Sequence, residues 1–315
     1  MAEISAKLVM ELRKKTGAGM MECKKALVSA NGDFDEAIKV LREKGVAVAA
    51  KKADRIAAEG IVDTLTVDGV TAMVEVNAET DFVAKNASFR EFVQGVLRTI
   101  VANKPATNEE LMALPFDGTE MTVEGALKDK IFTIGENMSI RRFVIVEGAC
   151  GSYIHGNGAI ACVTKFDTEN VDVNGEAFAE FAKNICMQIV AMTPAYVCRH
   201  CVPESVLANE KEIALTQINN DPKNASKPEN IKEKMIEGRI NKFFESACLV
   251  DQGYVKEDKI TVGQYTENTA KELGGSIKIN SFVKFERGEG LEKKEEDFAS
   301  EIEKQIGRAS CRERV

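Results

Sequence analysis

Ile61-Val62-Asp63-Thr64-Leu65-Thr66-Val67-Asp68-Gly69-Val70-Thr71-Ala72-Met73-Val74-Glu75-Val76 decides how the chain must be read. Apolar and β-branched residues recur with period two on both sides of Asp68-Gly69, a dipeptide that tolerates the positive φ angles of a two-residue hairpin turn. The stretch predicts two antiparallel strands, 61–67 and 70–76. A loop over 77–88 follows, then a helix whose Phe89, Phe92, Val96 and Ile100 repeat at helical spacing. Residues 103–125 read as a loose connection with one short helix, and 143–147 as a further strand.

The same succession returns downstream. Tyr153-Ile154-His155, the turn Gly156-Asn157-Gly158 and a strand over 159–165 precede a loop and a helix carrying Phe178, Phe181 and Ile189. Both helices contain Phe-x-Glu-Phe, at Phe89 and at Phe178, and both reach Ile-Val-Ala after the same interval, at Ile100 and Ile189. Two related β-β-α halves are the reading that covers both helices and both hairpins.

The flanks are helical. Ile4, Leu8, Val9 and Leu12 mark a first helix stopped by Thr16-Gly17-Ala18-Gly19, and Met20, Cys23 and Leu27 share one face of a second that ends at Asn31-Gly32. Asp33 starts a third, with Glu36 placed for an acidic capping box, Phe34, Ile38 and Leu41 as its buried stripe, and Gly45 as its terminating residue. An Ala-rich helix over about 46–58 leads away. Beyond the second half, 203–220 and 229–248 are charged amphipathic helices separated by Asp221-Pro222 and Lys227-Pro228, which predicts a projecting antiparallel hairpin. A late strand (277–285) and a final charged helix close the pattern. The fold class is α+β: a helical domain over 1–55, core subdomains over 56–142 and 143–288 with the hairpin at about 203–248 inside the second, a C-terminal helix over 289–306, and a tail, 307–315, whose composition departs abruptly and reads as non-native.

Composition narrows function. With 315 residues, a net charge of −8 and a pI near 5.2, the chain lacks the basic excess of a nucleic-acid surface, which favours a protein partner. No apolar run is long enough to span a bilayer, and Met1-Ala2-Glu3-Ile4-Ser5 does not begin a signal peptide. Eight scattered cysteines in such a chain read as reduced thiols, and the expected compartment is cytoplasmic.

No catalytic constellation emerges. There is no G-x-x-x-x-G-K-[ST] phosphate loop and no G-x-S-x-G elbow, and only two histidines could serve as base. Gly156-Asn157-Gly158-Ala159-Ile160-Ala161 fits G-x-G-x-x-A, yet a strand follows where a dinucleotide site needs a helix. Cys198-Arg199-His200-Cys201 is a single C-x-x-C, with His155 the one histidine outside it, whereas a zinc site wants four ligands and a thioredoxin-like site a βαβ unit. No metal, cofactor or catalytic residue is assigned. A zinc or redox enzyme built on that pair, and a ubiquitin-binding adaptor suggested by the N-terminal helices, are the rival readings.

One loop resists a bland reading. In Glu79-Thr80-Asp81-Phe82-Val83-Ala84-Lys85-Asn86 an aromatic residue stands beside carboxylates just after a core-type strand, the composition of an interface anchor. This loop, and Leu12-Arg13-Lys14-Lys15-Thr16-Gly17-Ala18-Gly19-Met20-Met21-Glu22-Cys23-Lys24-Lys25-Ala26-Leu27, closely resemble the signatures of the elongation factor Ts family. Ile134-Gly135-Glu136-Asn137, Ser152-Tyr153-Ile154-His155-Gly156, Thr261-Val262-Gly263 and the segment from Gly288 to Phe298 resemble it too, so the likeness covers residues 1 to about 306. Glu22 and Ala78 stand where Asp and Cys or Ser are common, and Cys198 and Cys201 are unusual beside the hairpin.

The resemblance implies a ubiquitin-associated-like N-terminal domain, a duplicated core, a helical hairpin and a C-terminal helical module. It implies guanine-nucleotide exchange on elongation factor Tu, with the loop of Thr80, Asp81, Phe82 and Val83 pushed between helices of the GTPase to disturb its magnesium. It further implies partner contacts at Arg13, Met20, Met21, Lys24, Lys52, Ile134, Gly135 and His155. Of the two methionines, helical spacing puts Met20 on the buried face with Cys23 and Leu27, which leaves Met21 as the exposed contact. Oligomeric state stays open, a homodimer through the hairpin included.

Overall fold

The computed structural model describes residues 4–292. Its N-terminal unit is three helices, α1 (Ala6–Thr16), α2 (Met20–Ser29) and α3 (Phe34–Lys52). Ser5 caps α1 by accepting from the Leu8 amide, Gly17 ends it in the left-handed conformation, and Asp33 accepts from the Glu36 amide at the start of α3. Val9, Leu12, Cys23, Ala26, Leu27, Ala37 and Leu41 form the unit's own core.

The first half then runs β1 (Glu59–Val67), β2 (Val70–Ala78), α4 (Asp81–Lys85), α5 (Ala87–Asn103), α6 (Asn108–Ala113), α7 (Val123–Ile134) and β3 (Met138–Glu147). The second runs β4 (Cys150–His155), β5 (Ile160–Glu169), α8 (Glu176–Met192), α9 (Glu204–Asn220), α10 (Pro222–Ala225), α11 (Glu229–Ala247), β6 (Gly253–Tyr254), β7 (Glu257–Thr261), α12 (Val262–Glu272) and β8 (Ser276–Glu286). Antiparallel three-stranded sheets of order β1-β2-β3 and β4-β5-β8 repeat one topology. Both middle strands carry a bulge, at Glu75/Val76 and at Lys165/Phe166. Helices α5 and α8 are each 17 residues long and end on a non-glycine residue in the left-handed region, Lys104 (φ 48) and Thr193 (φ 43). The duplication extends from the Phe-x-Glu-Phe pattern to backbone detail.

Period two decides the layers. Ala72, Val74, Val76 and Ala78 of β2 pack under α5 with Phe89, Phe92, Val96 and Ile100, while Cys162 and Phe166 of β5 pack under α8 with Phe178, Phe181 and Ile189. The alternate residues Val62, Met73, Ala161, Val163 and Phe285 meet between the sheets. Helix, sheet, sheet, helix is the resulting order.

Several expectations change. The third helix does not stop at Gly45 and no separate Ala-rich helix follows. α3 runs on because Ala37, Leu41, Gly45 and Ala49, four residues apart, form a buried stripe of mostly small residues, and at Gly45 that stripe faces Phe132 of α7. Packing overrides the glycine's propensity. The loose connection expected over 103–125 gives way to α7, where Val123, Ala126, Leu127 and Ile131 are helically spaced and Thr122 caps them. The strand expected over 143–147 begins at Met138 and pairs with β2, so a boundary between 142 and 143 falls inside a strand of the first sheet. β6, β7 and α12 were not anticipated. Residues 287–290 form turns and 291–292 are not helical, and the remainder of the expected 289–306 helix and the 307–315 tail lie outside the described residues.

One carboxylate binds the turn after β8 to the first sheet. Glu75 is fully buried in β2 and accepts from Arg142 Nε (2.6 Å), Arg141 Nη1 (3.1 Å), Asn77 Nδ2 (3.1 Å) and the Gly288 amide (2.8 Å). Burial pushes its carboxyl up, but the hydrogen bonds from Gly288, Asn77, Arg142 and Arg141 together outweigh it and hold it below the ordinary 4.5. A depressed folded value means the stabilisation is present above the unfolded pKa and is lost as pH falls through the lower folded one. Glu75→Ala is expected to lower the unfolding free energy by about 3 kcal/mol in urea at neutral pH, because it strands two partly buried guanidinium groups. Glu75→Gln should flatten the loss of stability below pH 4.5 expected of the parent chain. Acid curves that superimpose would overturn the assignment.

Candidate functional site

The loop singled out in the sequence begins where β2 leaves the core. Thr80 precedes α4, a single turn from Asp81 to Lys85, and Asn86 ends it while capping α5 through the Ser88 amide. In so short a helix neighbouring residues face different ways. Val83 (5% exposed) and Ala84 (4%) anchor in the core of the first half, whereas Phe82 is 78% exposed. Asp81 accepts from Lys85 Nζ at 2.6 Å, and that ammonium lies 5.9 Å from the Phe82 ring centroid. The Lys85 hydrogen bond holds the Asp81 carboxyl below the usual carboxylate range, so its charge persists through mildly acidic pH. The result is an aromatic tip flanked by an ion pair on a short helical finger.

The base of the finger is clamped by residues distant in sequence. Glu136, after α7, accepts from the Thr80 amide (3.0 Å) and the Thr80 hydroxyl (2.8 Å). In return Glu79 accepts from the Asn137 amide at 2.5 Å, and Asn137 donates from its side chain to the Arg55 carbonyl at 2.8 Å. Thr80 is the residue before α4, but its hydroxyl is committed to Glu136 and makes no side-chain cap. The finger is therefore tied to the α7–β3 corner and to the chain leaving α3.

Lys52, Ile134 and Gly135 meet at that corner. Lys52 Nζ donates to the Gly135 carbonyl, Gly135 is exposed with φ 88 as the left-handed cap of α7, and Ile134 is half-buried against the first core. His155 is exposed at the end of β4, its Nδ1 3.1 Å from the Tyr153 hydroxyl. The adjoining turn is joined to the first turn of α5 by Arg90, which donates to the Asn157 carbonyl at 2.9 Å. Arg13, Met20, Met21 and Lys24 are exposed on α1 and α2. Here the helical-wheel reading fails: Met20 is 41% exposed and Met21 64%. As the first residue of α2, Met20 has no preceding turn on which to lay its side chain.

Within the loop the four expected residues face different ways. Val83 points inward and Thr80 is engaged by Glu136, so the outward chemistry is that of Phe82 and Asp81. Glu79, Glu136 and Asn137, which set the finger's position, were not singled out as site residues. Glu136 lies 56 residues from Thr80, and no local periodicity links them.

A duplicated α+β protein that offers an exposed, clamped aromatic finger is the class these features define. The elongation factor TS family profile matches residues 79–289, a span that begins just after β2 and includes the finger, the rest of the first half and the second half of the core. Elongation factor Ts of Syntrophotalea carbinolica is 48% identical over 303 residues, covering 95% of this chain and 98% of that protein. The Trichlorobacter lovleyi protein of the same name is 47% identical over 306 residues (95% and 97%), and that of Clostridium botulinum strain Eklund 17B 46% over 310 (97% and 100%). The chain belongs to the elongation factor Ts family.

Removing the clamp should loosen the finger without dismantling the core. Hydrogen bonds to a charged group contribute about 1.5–3 kcal/mol, so Glu136→Ala is expected to speed deuterium exchange of the Thr80 amide roughly ten- to hundredfold. Exchange within α5 should stay unchanged. Equal protection of Thr80 in both proteins would sink the clamp.

Proposed function

We propose that this chain is a guanine-nucleotide exchange factor of translation elongation that binds elongation factor Tu with GDP, displaces magnesium and GDP, and lets GTP rebind. The observation that carries the reading is Phe82, 78% exposed on a loop whose base is held in place. A large apolar side chain is kept in water here while its neighbour Val83 fills the core. Family membership supplies the direction in which to read it.

Phe82 is the wedge in this account, and Asp81 sets a fixed negative charge beside it. Arg13, Met20, Met21 and Lys24 hold the GTPase from the N-terminal unit, while Lys52, Ile134, Gly135 and His155 extend the contact along the core. No bond in the nucleotide is made or broken. The factor must bind the empty GTPase more tightly than the GDP form, and by linkage the nucleotide is weakened by the same ratio. Burying a Phe side chain is worth about 1.5–3 kcal/mol, and about 1.4 kcal/mol is tenfold in affinity. Phe82 alone thus accounts for roughly one to two decades of weakened nucleotide binding. Dislodging magnesium removes positive charge from the phosphates and adds to this.

The test is release of a fluorescent GDP from elongation factor Tu by catalytic amounts of the chain. Phe82→Ala is expected to keep the parent's circular dichroism and thermal midpoint while slowing stimulated release about tenfold or more. Unchanged release by a variant that still binds would remove Phe82 from the mechanism.

A further inference from the structure

Cys198 and Cys201 have no part in the finger or its clamp. Cys198 precedes and Cys201 ends a 3-10 turn, Arg199–Cys201, in the connection from α8 to the projecting hairpin. Their sulfurs are 2.7 Å apart, closer than two thiols stand when they merely touch and not far beyond the bonded separation of about 2.05 Å. The backbone holds them there, since the Cys201 amide donates to the Cys198 carbonyl at 3.0 Å. Arg199 fastens the same turn to the far arm of the hairpin: it donates from Nε to Asp251 at 2.8 Å and from Nη1 to Asn241 at 3.3 Å, and its guanidinium lies 4.9 Å from the Phe244 ring centroid.

Among the described thiols Cys201 is the one exposed, and its neighbour Cys198 is not fully buried. Cys150 is likewise half-buried, whereas Cys23, Cys162, Cys186 and Cys248 are buried. Among the described residues no group of three or more His, Cys, Asp or Glu side chains is placed to hold a metal, so a third ligand does not join the two sulfurs. A rigid, reachable dithiol is suited to one reaction in particular.

We propose that Cys198 and Cys201 form a reversible disulfide, a redox modification site whose reagents are small thiol disulfides of the glutathione type. One thiol loses its proton and attacks the reagent's S–S bond, forming a mixed disulfide and releasing one reagent thiol. The second cysteine, already at 2.7 Å, attacks the mixed disulfide and releases the other reagent thiol. The two cysteines are oxidised by two electrons, the reagent disulfide is reduced by two, and both cysteine protons end on the released thiols. Closure fixes the turn from which the hairpin departs. The assignment does not depend on nucleotide exchange.

Trypsin cuts after Arg199, between the two cysteines, which makes the bond directly visible. The full chain is treated with glutathione disulfide, its remaining thiols are alkylated, and it is digested. The expected product is one species joining the Cys198 and Cys201 peptides, with no retained glutathione, alkylation of both positions lost, and separation of the peptides by dithiothreitol. In Cys201→Ser, glutathione should instead remain on Cys198. Glutathione retained on either position of the parent chain would overturn the proposal, as would full alkylation of both or a crosslink to another cysteine. The parent measurement stands even if the variant misfolds.

Discussion

Strand β2 has almost no solvent face. From Thr71 to Ala78 every residue is buried, because α5 covers one side and the second sheet covers the other. A central antiparallel strand enclosed this way must satisfy two apolar neighbours at once, and any polar group it carries must be paired where water cannot reach. Glu75 is that polar group, and its ring of donors draws in Arg141, Arg142 and the turn after β8. The two halves are consequently one structure in energetic terms, since neither sheet buries Val62, Met73, Val163 or Phe285 without the other.

The finger benefits from this rigidity. A large apolar side chain left in water forfeits burial energy, and a loop that carries one is stable only if its neighbours compensate. Val83 and Ala84 do so by filling the core just before α5 begins, and Glu136 and Asn137 do so through polar bonds at the base. A tip presented on a fixed base loses less entropy on docking than one that must first be ordered. Exposure and support are two halves of the same arrangement.

Much of this was legible in the amino-acid order. Asp68-Gly69 specified the first hairpin, and both residues adopt positive φ (48 and 75). Phe89 to Ile100 and Phe178 to Ile189 announced the duplication, and Asn157-Gly158 turned out to end a hairpin rather than to cradle a phosphate. Gly45 does not end α3, because the α7 face it meets outweighs its conformational cost, and that face is not visible in local sequence. The third strand of each sheet was hard to place, since β3 and β8 join after intervening helices and local patterns carry no partner. In the site, Phe82 stood out by composition, but Glu136 could not, because its role exists only through a contact across 56 residues.

The late arrival of β8 has a consequence for how the chain is made. The first sheet is complete once Glu147 has been added, but the second stays two strands wide, with one edge of β5 bare, until Glu286 emerges. On a ribosome the strands of the first sheet can therefore pair co-translationally, although its inter-sheet face stays uncovered, while β4 and β5 wait through the whole synthesis of the hairpin and α12. That waiting edge is open to errant strand pairing until β8 covers it, and a nascent-chain chaperone has reason to shield it there.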